Sequence, residues 1–352
     1  MNTLTDILVR RIASQGPMTM AEYMAEALVH PKYGYYATQN PIGAGGDFIT
    51  SPEISQMFGE LVGICLAQTW LDQGQPAQIT LAELGPGRGT LMQDALRATR
   101  AVPGFHDALQ VHFLEVSPTL RNEQSKRVPN AQWHSAISTI PEAPLFLIAN
   151  EFFDALPIRQ FERDESGWRE RMVTIEDGAL SFALSAPAPL VALDHRLNDT
   201  KPGDIVETCP ALPAISAEIG RRVSEHGGAA LIFDYGDWRS QGDTLQALRE
   251  HSATHPLETP GQADLTAHVD FEAIAVSASP ARYSRLTPQG VFLERLGITA
   301  RAQQLASSLD GEALAAHIAA HRRLTHPAEM GNLFKCIALF PEGSAPPPGL
   351  ET

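Results

Sequence analysis

Between Ile79 and Thr90 the sequence reads ITLAELGPGRGT: an apolar run, a carboxylate, three alternate glycines, then the start of a helical pattern. A strand that turns into a helix through Gly85, Gly87 and Gly89 carries no side chains over the turn, so a ligand can lie against the backbone. The helix behind it presents unpaired N–H groups in its first turn. Such a turn suits α/β folds in which ligands sit outside the carboxyl ends of parallel strands, though by itself it does not select one. A dinucleotide fingerprint needs Gly-x-Gly-x-x-Gly, and counting from Gly85 puts Thr90 where the third glycine belongs. That reading therefore drops.

The surrounding pattern agrees with the turn. Short apolar runs at 79–84, 111–116 and 145–149 alternate with helical stretches at 90–99 and 117–127, the βαβαβ signature of a parallel sheet covered by helices. Three alternating stretches within 158–184, separated by turn residues, predict an inserted antiparallel meander. The α/β pattern resumes with a helix at 212–226 and a strand at 229–233, and it closes with a helical region near 300–322 and a strand within 332–340. Two helices open the chain, the second capped by Thr19 after Pro17. Residues 31–52 read as a long functional loop, with Ser51 placed to cap a helix over 53–72. The Pro-rich stretch 345–349 reads as a frayed tail.

Charge and cysteine content narrow the partners. Lys plus Arg is 26 against 41 Asp plus Glu, a net charge of −15 that argues against nucleic acid or an anionic membrane as partner. Cys65, Cys209 and Cys336 form neither a CxxC pair nor a disulfide framework, which fits a reducing compartment. No apolar run is long enough to span a bilayer, and residues 4–12 read as an ordinary first helix rather than a presequence. The expectation is a cytoplasmic protein, with the mitochondrial matrix as the alternative in a eukaryote.

The next strand supplies a second binding group. Glu115 ends it thirty residues past Gly85, where a carboxylate can accept two hydrogen bonds from ribose hydroxyls, with Val116 beside it. The spacing Glu83-x-Gly85-x-Gly87-x-Gly89 resembles the first motif of class I S-adenosylmethionine-dependent methyltransferases, which implies that Glu83 helps hold the cationic amino end of that cofactor. In such enzymes the segment after the fourth strand sits beside the transferable methyl, so Asn150, Glu151 and Asp154 in ANEFFDALP are candidates to orient a nitrogen nucleophile. Phe152 and Phe153 read as packing.

The segments GDFITSPEISQMFGE (46–60), ELGPGRG (83–89), ANEFFDALP (149–157) and DYG (234–236) are similar to those of the MidA family. Shorter matches at 260–271, 290–292 and 330–335 extend the resemblance over roughly residues 16 to 340. Mitochondrial members of that family are complex I assembly factors that symmetrically dimethylate an arginine of a complex I subunit. The resemblance implies a Rossmann-like fold with a seven-stranded, mostly parallel sheet, to which the residue pattern adds an N-terminal helical arm and an inserted β meander. It implies S-adenosyl-L-methionine as cofactor and a protein substrate, with no metal. The expected division is an N-terminal region with a covering loop (1–75), a first half-core (76–157), a β-rich insertion (158–205), a second half-core with a helical insertion (206–342) and a tail (343–352).

Within the loop at 46–53, Ser51 and Glu53 are explained by capping and the helix dipole, which leaves Asp47 and Thr50 as the site candidates. Asp47 is an acceptor-side carboxylate and Thr50 a cofactor contact. Asp264, His268 and Asp270 fall on a loop before a helix near 270, where they line an acceptor pocket or form a local network. Asp234 is a catalytic acid or part of a turn after a buried strand. His317 and His321 have metal-like spacing, but Ile318 stands where a zincin has its Glu, so they read as a surface pair. Glu151 is the main candidate to orient a guanidinium and accept its proton, with Asp47 and Asp154 behind it. Two alternatives remain, a cofactor-binding assembly factor with little turnover and a small-molecule methyltransferase.

Overall fold

The structure, a computed structural model, describes residues 3–38 and 50–352. The described chain divides into two compact units, one of residues 50–153, 213–238 and 271–352, the other of residues 3–38, 154–212 and 239–270.

The first unit is built on a sheet. Its main strands are β1 (Ile79–Leu84), β2 (Leu109–Leu114), β3 (Gln132–His134), β4 (Leu145–Asn150), β5 (Gly228–Asp237), β6 (Arg282–Tyr283) and β7 (Phe334–Phe340), in the spatial order β6-β7-β5-β4-β1-β2-β3. Strands β1 to β5 run parallel, and β7 enters antiparallel between β5 and β6. Every residue of β1 and β4 is buried, as expected of parallel strands covered on both faces. Chain order reverses between β1 and its neighbour β4, and such a reversal opens a crevice at the carboxyl ends of those strands.

Close packing sets that crevice. The helix Gln56–Asp72 lies on the helix Thr90–Ala98 through Gly59 and Gly63, where an added Cβ would come within 2.8 Å of the Asp94 Cβ and 2.6 Å of the Ala95 Cα. Phe58, Phe233 and Phe292 pack in series, edge to face and tilted, with ring centroids 5.2 and 5.3 Å apart. Between β6 and β7 the chain makes a helical excursion through Gln289–Arg295, Ile298–Ala306, Gly311–Thr325 and Met330–Leu333. It leaves and returns at one point, because Gly290 and Gly331 both abut the Thr325 carbonyl, where a Cβ would stand 2.3 and 2.1 Å from the oxygen.

In the second unit the meander Arg159–Asp164, Gly167–Glu176 and Ala179–Leu184 is antiparallel, joined by Ile205–Thr208 and Met18–Thr19. Helices Leu4–Gln15 and Met20–Val29 both begin in capping boxes, Thr3 with Asp6 and Thr19 with Glu22.

Several expectations need correction. Ser51 does not cap the long helix: the chain breaks at Ser55, whose hydroxyl accepts from the Met57 N–H, and Ser51 lies fully buried in a separate turn, Ser51–Ile54. The boundary drawn at residue 75 does not match the packing, since the helix Gln56–Asp72 groups with the sheet and residues 3–38 with the meander. Asp264 opens a strand, Asp264–Thr266, rather than a loop. The tail is not frayed: Leu350 is buried, the Glu351 carbonyl accepts from the Arg285 N–H at 2.7 Å, and Cys65 Sγ donates to the Pro348 carbonyl.

Candidate active site

At the end of β1 all three glycines have left-handed backbone, with φ of 60° at Gly85, 52° at Gly87 and 82° at Gly89, a conformation other residues adopt only at a cost. The Gly85 N–H donates to the Leu114 carbonyl at 3.0 Å, which sets the turn beside the end of β2 and so beside Glu115. A Cβ at Gly85 would meet the Phe152 ring at 3.0 Å, so the turn after β4 closes against the glycine turn.

Two carboxylates flank this turn. Glu83 is buried with its Oε2 lacking any hydrogen-bond partner among the described residues, and burial pushes its carboxyl up to about 8. An uncompensated buried carboxylate is costly unless a cation arrives to pair with it. Glu115 is also buried and its carboxyl is raised by desolvation, opposed by hydrogen bonds from the Ser117 N–H at 2.8 Å and from Gln124 Nε2 at 3.0 Å. Gln124 Nε2 also donates to the Gly87 carbonyl at 2.7 Å, tying the ribose candidate to the glycine turn. Val116 is 59% exposed beside it. An orphaned buried carboxylate, a turn free of side chains and a fixed second carboxylate fit a nucleoside ligand with a cationic amino end.

The turn after β4 carries the reactive candidates. Glu151 has φ 52°, a strained value for a residue with a side chain, of the kind that persists where surrounding contacts enforce it. Those contacts are present: its N–H donates to the Phe233 carbonyl at 2.9 Å, and its Oε1 accepts from the Ser51 N–H and from Asn150 Nδ2, each at 3.0 Å. Asn150 is buried with its Oδ1 lacking a partner among the described residues. Asp234, fully buried within β5, accepts from the Phe153 N–H at 3.0 Å, so it holds this turn in place from the neighbouring strand.

The turn Ser51–Ile54 joins both halves. Glu53 accepts from Thr90 Oγ1 at 2.6 Å and from Arg88 at 3.5 Å, while Ser51 Oγ donates to Gln289 Oε1 at 3.2 Å. Ser51 and Glu53, which the sequence accounts for by capping, are thus the residues that bind the glycine turn to Glu151. Thr50 stands at the N-cap position without a side-chain cap bond, and Asp47 lies outside the described residues. Asp154 belongs to the other unit, where desolvation, and after it the charges of Asp264 and Asp154, raise the half-buried Tyr36 hydroxyl. His268 and Asp270 also belong there, with the His268 N–H on Thr244 Oγ1 at 2.8 Å. His317 and His321 bond the Ala302 carbonyl and the Thr299 hydroxyl, at 3.0 and 3.1 Å. Gln124 and Gln289 escaped the sequence reading, because nothing local marks a glutamine as buried.

Fold and crevice together define a class I methyltransferase of the S-adenosyl-L-methionine-dependent kind, and a family model with that description matches residues 61–288. The chain belongs to the MidA family of these enzymes. It is 37% identical to a Xenopus laevis protein named protein arginine methyltransferase NDUFAF7, mitochondrial, over 97% of this chain and 85% of that one. The human protein of the same name is 36% identical over 95% of this chain and 82% of its own length. The crystal structure of a Burkholderia thailandensis protein bound to S-adenosyl-homocysteine superposes with a TM-score of 0.83 at 30% identity, covering 98% of this chain and 93% of that one. No described helix is long and apolar enough to cross a membrane.

Proposed function

We propose that this protein transfers methyl groups from S-adenosyl-L-methionine to an arginine side chain of a protein. The arginine specificity comes from the names of the relatives; the observation that carries it into this chain is Glu151, a carboxylate held in strained backbone at the carboxyl end of β4. Glu83 receives the cationic amino end of the cofactor, Gly85, Gly87 and Gly89 admit its body, Glu115 takes the ribose hydroxyls and Val116 covers the base. Thr50 is a further cofactor contact. When bound, the cofactor supplies an electrophilic methyl on a sulfonium sulfur. Glu151 pairs with the guanidinium, turns one nitrogen toward that methyl and takes the nitrogen's proton as the new bond forms. Asn150 and the Ser51 N–H aim Glu151, and Asp47 is the supporting carboxylate on the acceptor side. A respiratory complex I subunit is the acceptor the family resemblance implies, and the relatives' mitochondrial names favour the matrix over the cytoplasm.

The test is Glu151→Gln. Calorimetry should show unchanged S-adenosylhomocysteine affinity, while incorporation of tritiated methyl into arginine of extract proteins should drop by about 100-fold or more. Unchanged incorporation would remove Glu151 from the chemistry.

A further inference from the structure

We infer that a shallow cleft over residues 323–335 seats the stretch of acceptor protein next to the target arginine, and that this stretch carries an acidic side chain. The inference rests on the role of Glu151 proposed above. The cleft encloses about 620 Å³, and its lining includes Arg323, Glu329, Met330, Asn332, Leu333 and Lys335.

Strand register sets its distance from the site. Glu151 bonds the Phe233 carbonyl on one side of β5, and on the other side Asp234 pairs with Lys335 of β7. The backbones of Glu151 and Lys335 therefore flank a single strand, about 10 Å apart at two strand spacings. An extended peptide covers that in about three residues. The floor between them is continuous: Tyr235, Met330 and Phe334 pack together with Ile54, which belongs to the turn holding Glu151.

Charge selects the occupant. Glu329 is engaged by Arg322 at 2.8 Å. Among the described residues, exposed Arg323 forms no ion pair and Lys335 Nζ donates only to the carbonyls of Gly236 and Leu333, at 2.8 and 3.2 Å. Asp237 is in electrostatic range of Lys335 without pairing with it. Two cations are left facing the cleft, in a chain of net charge −15, beside a Leu333 that is 50% exposed. An acidic residue next to an apolar one, about three positions from the arginine, complements this surface.

Three fluorescent arginine peptides differing only at that position, with Asp-Leu, Ser-Leu or Lys-Leu, test the inference by anisotropy on the full chain saturated with S-adenosylhomocysteine. The Asp peptide should bind at least about fivefold tighter than the Lys peptide. Arg323→Glu should abolish that preference with cofactor affinity and thermal midpoint unchanged, and Lys335→Met should weaken it with cofactor affinity unchanged. Equal affinities, a preference that survives Arg323→Glu, or no peptide binding at all would overturn the inference. Methylation that depends on Glu151 but ignores the flanking charge would overturn it and leave arginine transfer standing. Charge-selective binding with no methylation of any peptide would keep the cleft and sink the transfer reading.

Discussion

Glu83 makes cofactor binding a proton-linked event. With its carboxyl at about 8, about ten of every eleven molecules carry a proton there at pH 7, and pairing with an ammonium group requires that proton to leave. Binding should therefore release about 0.9 proton per site at pH 7, falling to about 0.5 at pH 8, at a cost near 1.4 kcal/mol at pH 7. The assay is calorimetric titration with S-adenosylhomocysteine in phosphate and in Tris, whose ionisation enthalpies differ, so that the difference in heat counts protons. Glu83→Gln, run in parallel, subtracts the titration of the ligand itself. Should the variant bind too weakly to titrate, wild-type affinity alone carries the test, rising nearly tenfold from pH 6 to pH 7. A flat affinity over that range, with no proton released, would refute the assignment of Glu83 to the ammonium. The same shift has a cost for the free protein: a carboxyl raised in the folded state loses stability as pH climbs from 4.5 towards 8.

Glu115→Ala should weaken S-adenosylhomocysteine by about 10- to 100-fold, the loss of hydrogen bonds to a charged group, and calorimetry would show it; an unaltered affinity would separate Glu115 from the ribose. His112 runs opposite to Glu83. It lies fully buried in β2 with Nδ1 at 3.0 Å from His134 Nε2, and burial, with His134 adding to it, lowers it to about 4. A base lowered in the folded state contributes its full stability above pH 6.5 and loses it as pH falls towards 4, up to about 3 kcal/mol. Because Glu83 acts oppositely over the same range in both proteins, the readout is the difference between them: going from pH 7 to pH 5 should cost the wild type about 2 kcal/mol that His112→Phe does not lose, by urea unfolding at both pH values, and an equal pH response in the two would place the acid sensitivity elsewhere.

Features written in contiguous residues were legible in the sequence. The glycine turn, the capping of Thr19 over Glu22 and the meander each depend on neighbours within a few positions, and each appears where the pattern puts it. Strand β3 is three residues long, too short for alternation to register, and passed unnoticed. Ser51 shows the deeper limit. Its local context supports a cap, while its observed partners are Glu151, one hundred positions away, and Gln289, two hundred and thirty-eight away. Grouping fails for the same reason: Gly59 and Gly63 look like poor helix residues until the helix Thr90–Ala98 is laid against them. Glu151 was legible as a carboxylate after a strand, but its positive φ was not, because glutamate gives no hint of that conformation.

The two glycines at the base of the helical excursion bear on how this family can diversify. Because Gly290 and Gly331 meet at the Thr325 carbonyl, the chain departs from the sheet and rejoins it through a doorway too narrow for any side chain, whatever lies between. Between those ends, however, the excursion is built into the core: Phe292 packs on Phe233 of β5 at 5.3 Å, Gln289 accepts from Ser51 in the crevice, and Arg301 pairs with Glu60 of the helix Gln56–Asp72 at 2.8 Å. A relative with a different excursion must therefore keep not only the two glycines but a partner for Phe233, Glu60 and Ser51, so the surface of this segment is freer to change than its inner face.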